Sequence, residues 1–331
     1  MAKVSWGILS TARIGTDKVI PAMQLGEHSA ITAIASRDIE TARRAAKKLG
    51  IPQAYGSYEE LLGRSEIEAV YIPLPNHLHV EWTLKALKAG KHVLCEKPIG
   101  MSLREAEVLH REAKKFPKLK LMEAFMYRHH PQTIMTRDLI KDGAIGDVRS
   151  IHTMFSYYND NPKDIRNQPD IGGGALLDIG CYCISISRFL FDAEPKRVCG
   201  AVEYDPELKT DRLVSAVLEF EKGSSIFTCS TQMVNFQYAK VFGTRGIIEM
   251  EMPFTPSFDT PSKIICQTGP KREEISFDPC NQYTIQGDLF SKAILENTAV
   301  PTPIEDGVAN MRVVDGIFDS SRKGSWIEIE K

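Results

Sequence analysis

Hydrophobic and polar positions follow a βαβ rhythm over roughly the first 120 residues. Short runs of buried type, at residues 4–9, 30–35, 69–72 and 92–95, are separated by stretches with apolar residues at helical spacing. Strands that alternate with helices predict right-handed βαβ units and a doubly wound parallel sheet. The predicted helices span 14–25, 39–49, 58–62, 79–89 and 103–115, and a last strand spans 119–123.

The rhythm changes after about residue 125, where strand-like runs follow one another with few helices between them. Turn residues such as those at 221–224 join successive runs, which predicts an α+β domain with a large open, mostly antiparallel sheet. We therefore expect two domains, at 1–125 and 126–331. The predicted strands are 148–157, 213–220, 225–233, 237–242, 246–252 and 263–267, and the helices are 131–141, 286–296 and 304–322.

Composition narrows the class of protein without choosing a function. The chain has 331 residues, 43% of them apolar and 25% charged, with a net charge of −2, so a nucleic-acid partner is not expected. It has no uninterrupted apolar run of about 18 residues and no secretory apolar region at the start, which argues against a membrane partner. Seven scattered cysteines are typical of reduced thiols, so we expect a cytoplasmic protein.

The turn after the first strand is a candidate dinucleotide site. Aligned with the G-x-G-x-x-G pattern, the three glycine positions are Ser10, Ala12 and Gly15. Small residues partly meet the need for close backbone approach to a pyrophosphate at a helix N-terminus. A plain strand–helix turn is the alternative interpretation.

The end of the second strand indicates which dinucleotide would bind. Ser36 and Arg37 follow the strand where an acidic residue is expected for NAD. A hydroxyl and a guanidinium suit a 2′-phosphate, so NADP is favoured, with NAD possible. In the alternative interpretation Arg37 is solvated and Asp38 caps the next helix.

Two further segments contain candidate chemical groups. A predicted strand ends in Glu96-Lys97-Pro98, which places a lysine at the carboxyl end of a parallel strand, where ligands bind, before a proline that can be cis. The run 172–174 is three glycines, which permit close approach to a ligand. If a helix begins near Ala175, Asp178 and Tyr182 share one face.

Together these motifs resemble the Gfo/Idh/MocA oxidoreductase family. The resemblance covers almost the whole chain, and its most specific parts are Glu96-Lys97-Pro98 and the Asp-x-Gly-x-Tyr spacing of Asp178 and Tyr182. With tyrosine and not histidine at position 182, the chain resembles the branch of the family that includes dimeric dihydrodiol dehydrogenase and NADP-linked D-xylose dehydrogenase. The other supporting segments are residues 6–8, 11–14, Pro75-Asn76 with His79, 304–306 and 320–322.

The resemblance implies a Rossmann domain and hydride transfer between a nicotinamide and a sugar or diol carbon that bears a hydroxyl or carbonyl. It makes Tyr182 the general acid/base, with Lys97 beside it to favour the phenolate, and lets Asp178 orient Lys97 or a substrate hydroxyl. No metal is implied. The cofactor-binding residues it implies are Ser10, Thr11, Ala12, Arg13, Ile14, Ser36, Arg37, Leu74, Pro75, Asn76, His79, Glu96, Lys97 and Arg166.

Other interpretations stay open at this point. Tyr182 could be a core aromatic, Lys97 a surface residue and Asp178 only a salt-bridging carboxylate. The chain could also be a non-catalytic dinucleotide-binding regulator, or a sugar oxidoreductase that holds its cofactor tightly. The substrate would be an aldose, polyol or diol, met by loops such as 157–160, 235–236 and 279–283. The open sheet predicts a homodimer or homotetramer, with residues 228–233 and 236–242 as interface or packed on the chain's own helices.

Overall fold

The computed structural model describes residues 2–330, which divide into two compact units. The first unit is the chain through Met126 together with Asn281–Val308. The second is Tyr127–Cys280 together with the chain from Ala309 onward. The first unit therefore takes in a segment from late in the chain.

A six-stranded parallel sheet forms the centre of the first unit. Its strand order is 3-2-1-4-5-6, the doubly wound order in which the direction of winding reverses beside the first strand. The predicted fold class is confirmed here, and the short third strand is one that the hydrophobic pattern did not predict. The strands are β1 (Val4–Leu9), β2 (Ser29–Ala35), β3 (Gln53–Tyr55), β4 (Ala69–Ile72), β5 (His92–Cys95) and β6 (Leu121–Glu123).

Helices connect these strands and begin where the sequence supplies caps. Asp38, Ser57 and Ser102 each accept a backbone N–H from the first turn of the helix that follows. The first crossover begins differently, with a π-helical turn at Gly15–Val19. The helices are α1 (Ile20–Gln24), α2 (Ile39–Leu49), α3 (Tyr58–Leu62), α4 (His79–Lys88) and α5 (Leu103–Ala113).

A nine-stranded sheet dominates the second unit, in the order 14-13-12-11-7-10-9-8-15. All its neighbours pair antiparallel except β10 with β7, so the predicted mostly antiparallel sheet is confirmed. Its strands are β7 (Val148–Tyr158), β8 (Arg197–Tyr204), β9 (Asp211–Phe220), β10 (Gly223–Ser230), β11 (Gln232–Gly243), β12 (Gly246–Met250), β13 (Ser262–Thr268), β14 (Lys271–Phe277) and β15 (Ile327–Glu328).

The predicted strands of this sheet differ from the structure in four details. The run predicted at 225–233 is two strands that meet at Thr231, whose backbone bonds Arg212 O and Asn159 N instead of continuing the ladder. The strands β8, β14 and β15 were not predicted: β14 is mostly charged and β15 has two residues, whereas the apolar residues 198–202 of β8 were not read as a strand.

The helices of the second unit cover one face of its sheet. Helix α6 (Pro131–Lys141) begins at His130, whose Nδ1 accepts the Gln132 N–H. Helix α7 (Cys181–Phe191) is almost entirely buried and packs on β7 and β10. The segment Pro169–Phe191 is long and apolar enough to cross a membrane by length and composition, but 83% of its most apolar window is buried, as in a core helix.

The last two helices fall differently between the units. Helix α8 (Gln282–Leu295) lies in the first unit, where Phe290 contacts the Trp6 ring at 5.5 Å and Ser291 Oγ accepts the Trp6 indole N–H. Helix α9 (Ile304–Lys323) begins in the first unit and ends in the second.

The other face of the large sheet carries apolar side chains that the described chain does not fully cover. Ile226 is 43% exposed, and its ladder neighbour on β7 is His152, whose ring lies 4.9 Å from that of Phe242. Phe236 and Val234 near one end of the sheet are 50% and 75% exposed. Strand β11 thus presents Phe236 and Phe242 on the surface while Ala239 and Val241 pack inward.

Candidate active site

The carboxyl ends of β1, β2, β4 and β5 meet at one edge of the parallel sheet of the first unit. This edge is where ligands bind in doubly wound folds. The predicted cofactor residues of this unit follow those four strands, so the topology brings them to one edge.

The turn after β1 holds Ser10 in a conformation that favours glycine. Its φ is +144°, and its Oγ accepts the Ala12 N–H at 3.0 Å. Ser10, Thr11 and Ala12 are half-exposed, and the helix begins at Arg13 with Ile14 in its first turn. A half-exposed turn that ends in a helix N-terminus can receive a pyrophosphate, because its backbone N–H groups and dipole favour an anion.

Two charged residues, Arg37 and Asp38, follow β2 and have different contacts. Asp38 is committed to capping α2, where its carboxylate accepts the Thr41 N–H at 2.9 Å and the Thr41 hydroxyl at 2.5 Å. Arg37 is exposed, and its positive charge opposes the burial that raises the pKa of Tyr58. Asp38 is exposed as well, so the two side chains differ in that the carboxylate caps α2, not in their accessibility.

A buried imidazole joins the turns that follow β4 and β5. His79 is fully buried, with Nδ1 2.7 Å from Pro98 O and Nε2 2.7 Å from Leu74 O. Burial lowers the pKa of His79 to about 4, although both carbonyl contacts oppose that shift. His79 thus fixes the Leu74-Pro75 turn to the Lys97-Pro98 turn, whose peptide bond is cis.

Glu96 and Lys97 follow β5 and are both half-buried. Glu96 Oε1 accepts the Tyr71 hydroxyl at 2.6 Å, and its charge together with burial raises the pKa of Tyr283. The half-buried turn residue Asn76 begins the short helix Asn76–Leu78. The carboxylate of Glu96, which precedes Lys97 in the chain, therefore binds the Tyr71 hydroxyl and interacts electrostatically with Tyr283.

In the second unit, the glycine run lies against the chain's own atoms. A Cβ at Gly173 would lie 2.6 Å from Arg166 O, and a Cβ at Gly174 would lie 1.8 Å from Asp211 Oδ1. Gly174 also has a φ of +122°. Sequence reasoning assigned these glycines to a ligand, but at least two of them make room for a backbone carbonyl and a buried carboxylate.

Asp178 lies at the centre of a hydrogen-bonded network. Its Oδ2 accepts the Tyr157 hydroxyl at 2.6 Å and is 3.2 Å from Arg166 Nε. Arg166 also donates to Asp164 Oδ1 at 3.3 Å. Burial and the Asp178 charge raise the pKa of Tyr157 strongly, and Asp178 likewise raises the pKa of Arg166. Arg166, predicted from the resemblance to bind cofactor, is here a partner of Asp178.

Tyr182 lies one turn beyond Asp178 in a continuous helix that begins at Ala175. The turn Leu176–Gly180 between them is π-helical, a widened turn often found at functional sites. Tyr182 is 5% exposed, and its ring lies 5.6 Å from Tyr127, 5.7 Å from Phe155 and 5.6 Å from Phe254. An aromatic environment removes water from the ring while the helix fixes its direction.

Sequence reasoning missed Asp164 in this network and Asp211 beside the glycine run, and it did not foresee the hydrogen bond of Tyr157. Asp211 gave no signal, because a single aspartate before a strand is an ordinary turn residue. Tyr157 was predicted both as the last residue of a strand and as part of a substrate loop; it lies in β7, as the strand prediction had it, with its hydroxyl on Asp178. Tyrosine among the inward positions of a strand near the glycine run was the only available hint.

Comparison with known proteins agrees with both units. Residues 4–125 match the oxidoreductase family with an NAD-binding Rossmann fold, and residues 134–249 match the GFO/IDH/MocA C-terminal domain. The chain is 42% identical to an uncharacterized oxidoreductase, ORF334, of Rhizobium meliloti, over 98% of this chain and 99% of that protein.

Two further relatives have named activities. A D-xylose 1-dehydrogenase (NADP(+)) of Haloferax volcanii is 38% identical over 98% of this chain and 99% of its own length. The solved structure of an aldose-aldose oxidoreductase from Caulobacter crescentus, complexed with glycerol, aligns with a TM-score of 0.92 at 26% identity, over 98% and 99% of the two chains. The chain therefore belongs to the Gfo/Idh/MocA family of oxidoreductases, and its first unit is an NAD(P)-binding Rossmann domain.

Proposed function

We propose that the protein is an NADP-dependent dehydrogenase or reductase that acts on a CH–OH group of a sugar or diol. The reaction would move a hydride between the nicotinamide and a carbon that bears a hydroxyl or carbonyl. Its support is the family, the similarity to an NADP-linked D-xylose dehydrogenase, and the chemistry of the residues described above.

The preference for NADP rests on the end of β2. Asp38 is occupied by the α2 cap, while Ser36 and the exposed Arg37 offer a hydroxyl and a guanidinium. The Ser10–Ile14 turn would hold the pyrophosphate, and the fixed turns at Leu74-Pro75 and Lys97-Pro98 would border the nicotinamide end. Bound NADP supplies the hydride acceptor or, when reduced, the donor.

Proton transfer is assigned to Tyr182 with help from Lys97. In reduction the tyrosine hydroxyl donates its proton to the carbonyl oxygen, and in oxidation the phenolate takes the proton of the alcohol. An ordinary tyrosine has a pKa of about 10, and a lysine ammonium beside the phenolate would lower it. Lys97 would also donate a hydrogen bond to the substrate oxygen as negative charge develops.

The observation that carries this proposal is the network around Asp178, one turn before Tyr182. A carboxylate held by the Tyr157 hydroxyl and the Arg166 guanidinium has a fixed direction and can accept a substrate hydroxyl without reorganising. A purely packing role for this helix would not need three polar groups oriented at its first turn.

The first experiment is a fluorescence titration with NADPH and NADH, followed by a panel of aldoses and trans-diols. We expect at least about a tenfold preference for NADPH. Lys97→Met and Tyr182→Phe should each lower kcat at least about a hundredfold with little change in NADPH affinity. The matched control is Lys88→Met, which alters an exposed lysine. Retention of more than about a tenth of the activity by Lys97→Met would contradict its role.

The similarity to an aldose-aldose oxidoreductase favours a second candidate, an enzyme that interconverts two sugars without releasing its cofactor. Such an enzyme would purify with NADP(H) bound and would not exchange it with free cofactor. Exchange of bound NADPH during dialysis would support the dehydrogenase instead.

The exposed sheet face supports assembly into a homodimer or homotetramer. A second copy would cover Ile226, Tyr238 and Phe242, which are apolar and at least partly exposed. Light scattering after size exclusion should give a multiple of the chain mass, and Ile226→Glu should lower it. A monomer in the wild type would contradict this assembly.

A further inference from the structure

The helix that carries Asp178 and Tyr182 begins inside the second unit without a cap of its own. Ala175 and Leu176 are fully buried, and neither Gly174 before the helix nor Ala175 at its first position has a side-chain acceptor. The first N–H groups of a helix need acceptors, and a buried start cannot obtain them from water.

Asp211 at the start of β9 supplies those acceptors from 35 residues farther along the chain. Its Oδ2 accepts the Leu176 N–H at 2.7 Å, and its carboxylate also accepts the Ala175 N–H. Asp211 is 3% exposed. A buried carboxylate that accepts backbone N–H groups at a helix start is favoured by the helix dipole as well as by the hydrogen bonds.

The backbone is shaped around this carboxylate. Gly174 has a φ of +122°, and a Cβ there would lie 1.8 Å from Asp211 Oδ1. No side chain larger than hydrogen fits between the turn and the carboxylate, so the glycine and Asp211 form one arrangement. That arrangement sets where the π-helical turn Leu176–Gly180 begins and, through it, where Asp178 and Tyr182 lie.

We propose that Asp211 is a positioning residue for the reaction, which holds the helix of Asp178 and Tyr182 in its productive place only while it is a carboxylate. This inference rests on the proposed function. Protonation of Asp211 would remove one acceptor for the helix N–H groups. It would also add an O–H donor that faces the Ala175 and Leu176 N–H donors.

The surroundings of Asp211 bring that protonation into the neutral range. Burial and, to a smaller extent, the Asp178 charge raise its pKa to about 7 against the lowering by the backbone N–H groups. The other ionisable groups that interact with Asp211 are Tyr204 on β8 and Cys229 on β10. The carboxylate form therefore predominates only as the pH rises through about 7, so turnover should rise over the same interval.

The test compares Asp211→Asn with the wild type by hydrogen exchange and by kinetics, using the full chain with NADPH. Asparagine keeps the shape but offers one acceptor oxygen and no charge. We expect amide exchange in residues 174–182 to be at least about fivefold faster at pH 7.5. We also expect kcat to fall at least about tenfold, with the Kd for NADPH within about twofold.

The matched control is Asp205→Asn. Asp205 lies in the turn before the same strand and accepts the N–H groups of Glu207 and Leu208 at 2.8 Å each. Its replacement by asparagine should leave amide exchange at 174–182 and kcat unchanged.

In the wild type, amide exchange at 174–182, corrected for its intrinsic pH dependence, should slow as the pH rises through about 7, and Asp211→Asn should lack this step.

Two results would overturn the proposal: wild-type exchange at 174–182 without a step near neutral pH, or Asp211→Asn with normal exchange and kcat. If Asp211→Asn does not fold, the wild-type pH series decides alone. If the wild type turns over no sugar or diol, the proposed function fails, and the exchange data still report whether Asp211 controls the helix start.

Discussion

Two helix starts in this molecule use opposite solutions to the same problem. In the first unit, the turn before the helix that begins at Arg13 is half-exposed, and Ser10 occupies a backbone conformation that favours glycine. In the second unit, the start at Ala175 is buried, and Gly174 adopts a positive φ beside the Asp211 carboxylate. Both helices open with a π-helical turn, and neither has a side-chain cap from its own N-cap residue.

The difference is the anion that each helix start receives. The second start is filled by a carboxylate of the chain itself, so its N–H groups are committed to fixing the start of the helix that carries Asp178 and Tyr182. The first remains accessible, so its dipole and N–H groups can serve an external pyrophosphate. Gly174 is essential because the Asp211 carboxylate occupies the space that a side chain would need. At the accessible first start no side chain of the protein takes the place of the external anion, and a serine occupies the positive-φ position.

The sharpest way to break this comparison is to add one methyl group at each start. Gly174→Ala should lower the free energy of unfolding by more than about 3 kcal/mol, because it strains a positive φ and displaces a buried carboxylate. Gly15→Ala should cost less than about 1 kcal/mol, since its Cβ would meet Pro73 Cγ at 3.4 Å, an ordinary contact. Urea unfolding measures both, and similar losses for the two variants would refute the distinction.

The turns that follow β4 and β5 are joined by the buried side chain of His79. His79→Ala should lower the free energy of unfolding by about 3 kcal/mol at neutral pH, because it leaves a cavity and removes the one N–H that the neutral imidazole donates to Pro98 O or Leu74 O. His77→Ala, at a half-exposed neighbour, is the control and should cost less than about 0.5 kcal/mol.

The same histidine gives a pH dependence whose sign can be checked. Its pKa is about 4 in the folded protein, below the value of about 6.5 in the unfolded chain, so the unfolded state takes up the proton first. Wild-type stability should therefore fall as the pH decreases from about 6.5 to about 4. The difference between wild type and His79→Ala should narrow over that interval, and a constant difference would contradict the lowered pKa.

Much of the architecture follows from the hydrophobic pattern, whereas the local geometry of the site does not. Runs such as residues 4–9 and 69–72 have enough apolar residues to specify buried parallel strands, and the lysine at a strand end follows from topology. Asp211 could not be predicted, because its importance comes from a contact 35 residues away in sequence. Tyr157 was noticed as polar and aromatic, but its bond to Asp178 depends on the register of a strand that the pattern does not fix.

The choice of cofactor gives a prediction of intermediate size. Arg37→Ala should weaken NADPH binding at least about tenfold, or about 1.4 kcal/mol, and leave NADH binding within about twofold. The reason is that the guanidinium would contact only the 2′-phosphate, which NADH lacks. Arg43→Ala, which removes an exposed guanidinium from α2, is the control. Equal losses for both cofactors would show that Arg37 contributes general charge and no specificity.

The smallest effect separates strain from hydrogen bonding at Ser10. Ser10→Gly relieves a φ of +144° and loses the bond from Ala12 N, so these two changes should nearly cancel, within about 0.5 kcal/mol of unfolding free energy. Ser10→Ala keeps the strain and loses the same bond, so it should cost about 1 kcal/mol. A larger loss for Ser10→Gly than for Ser10→Ala would show that the serine conformation is not strained. In that case serine would occupy the glycine-like position before the first helix without a conformational cost.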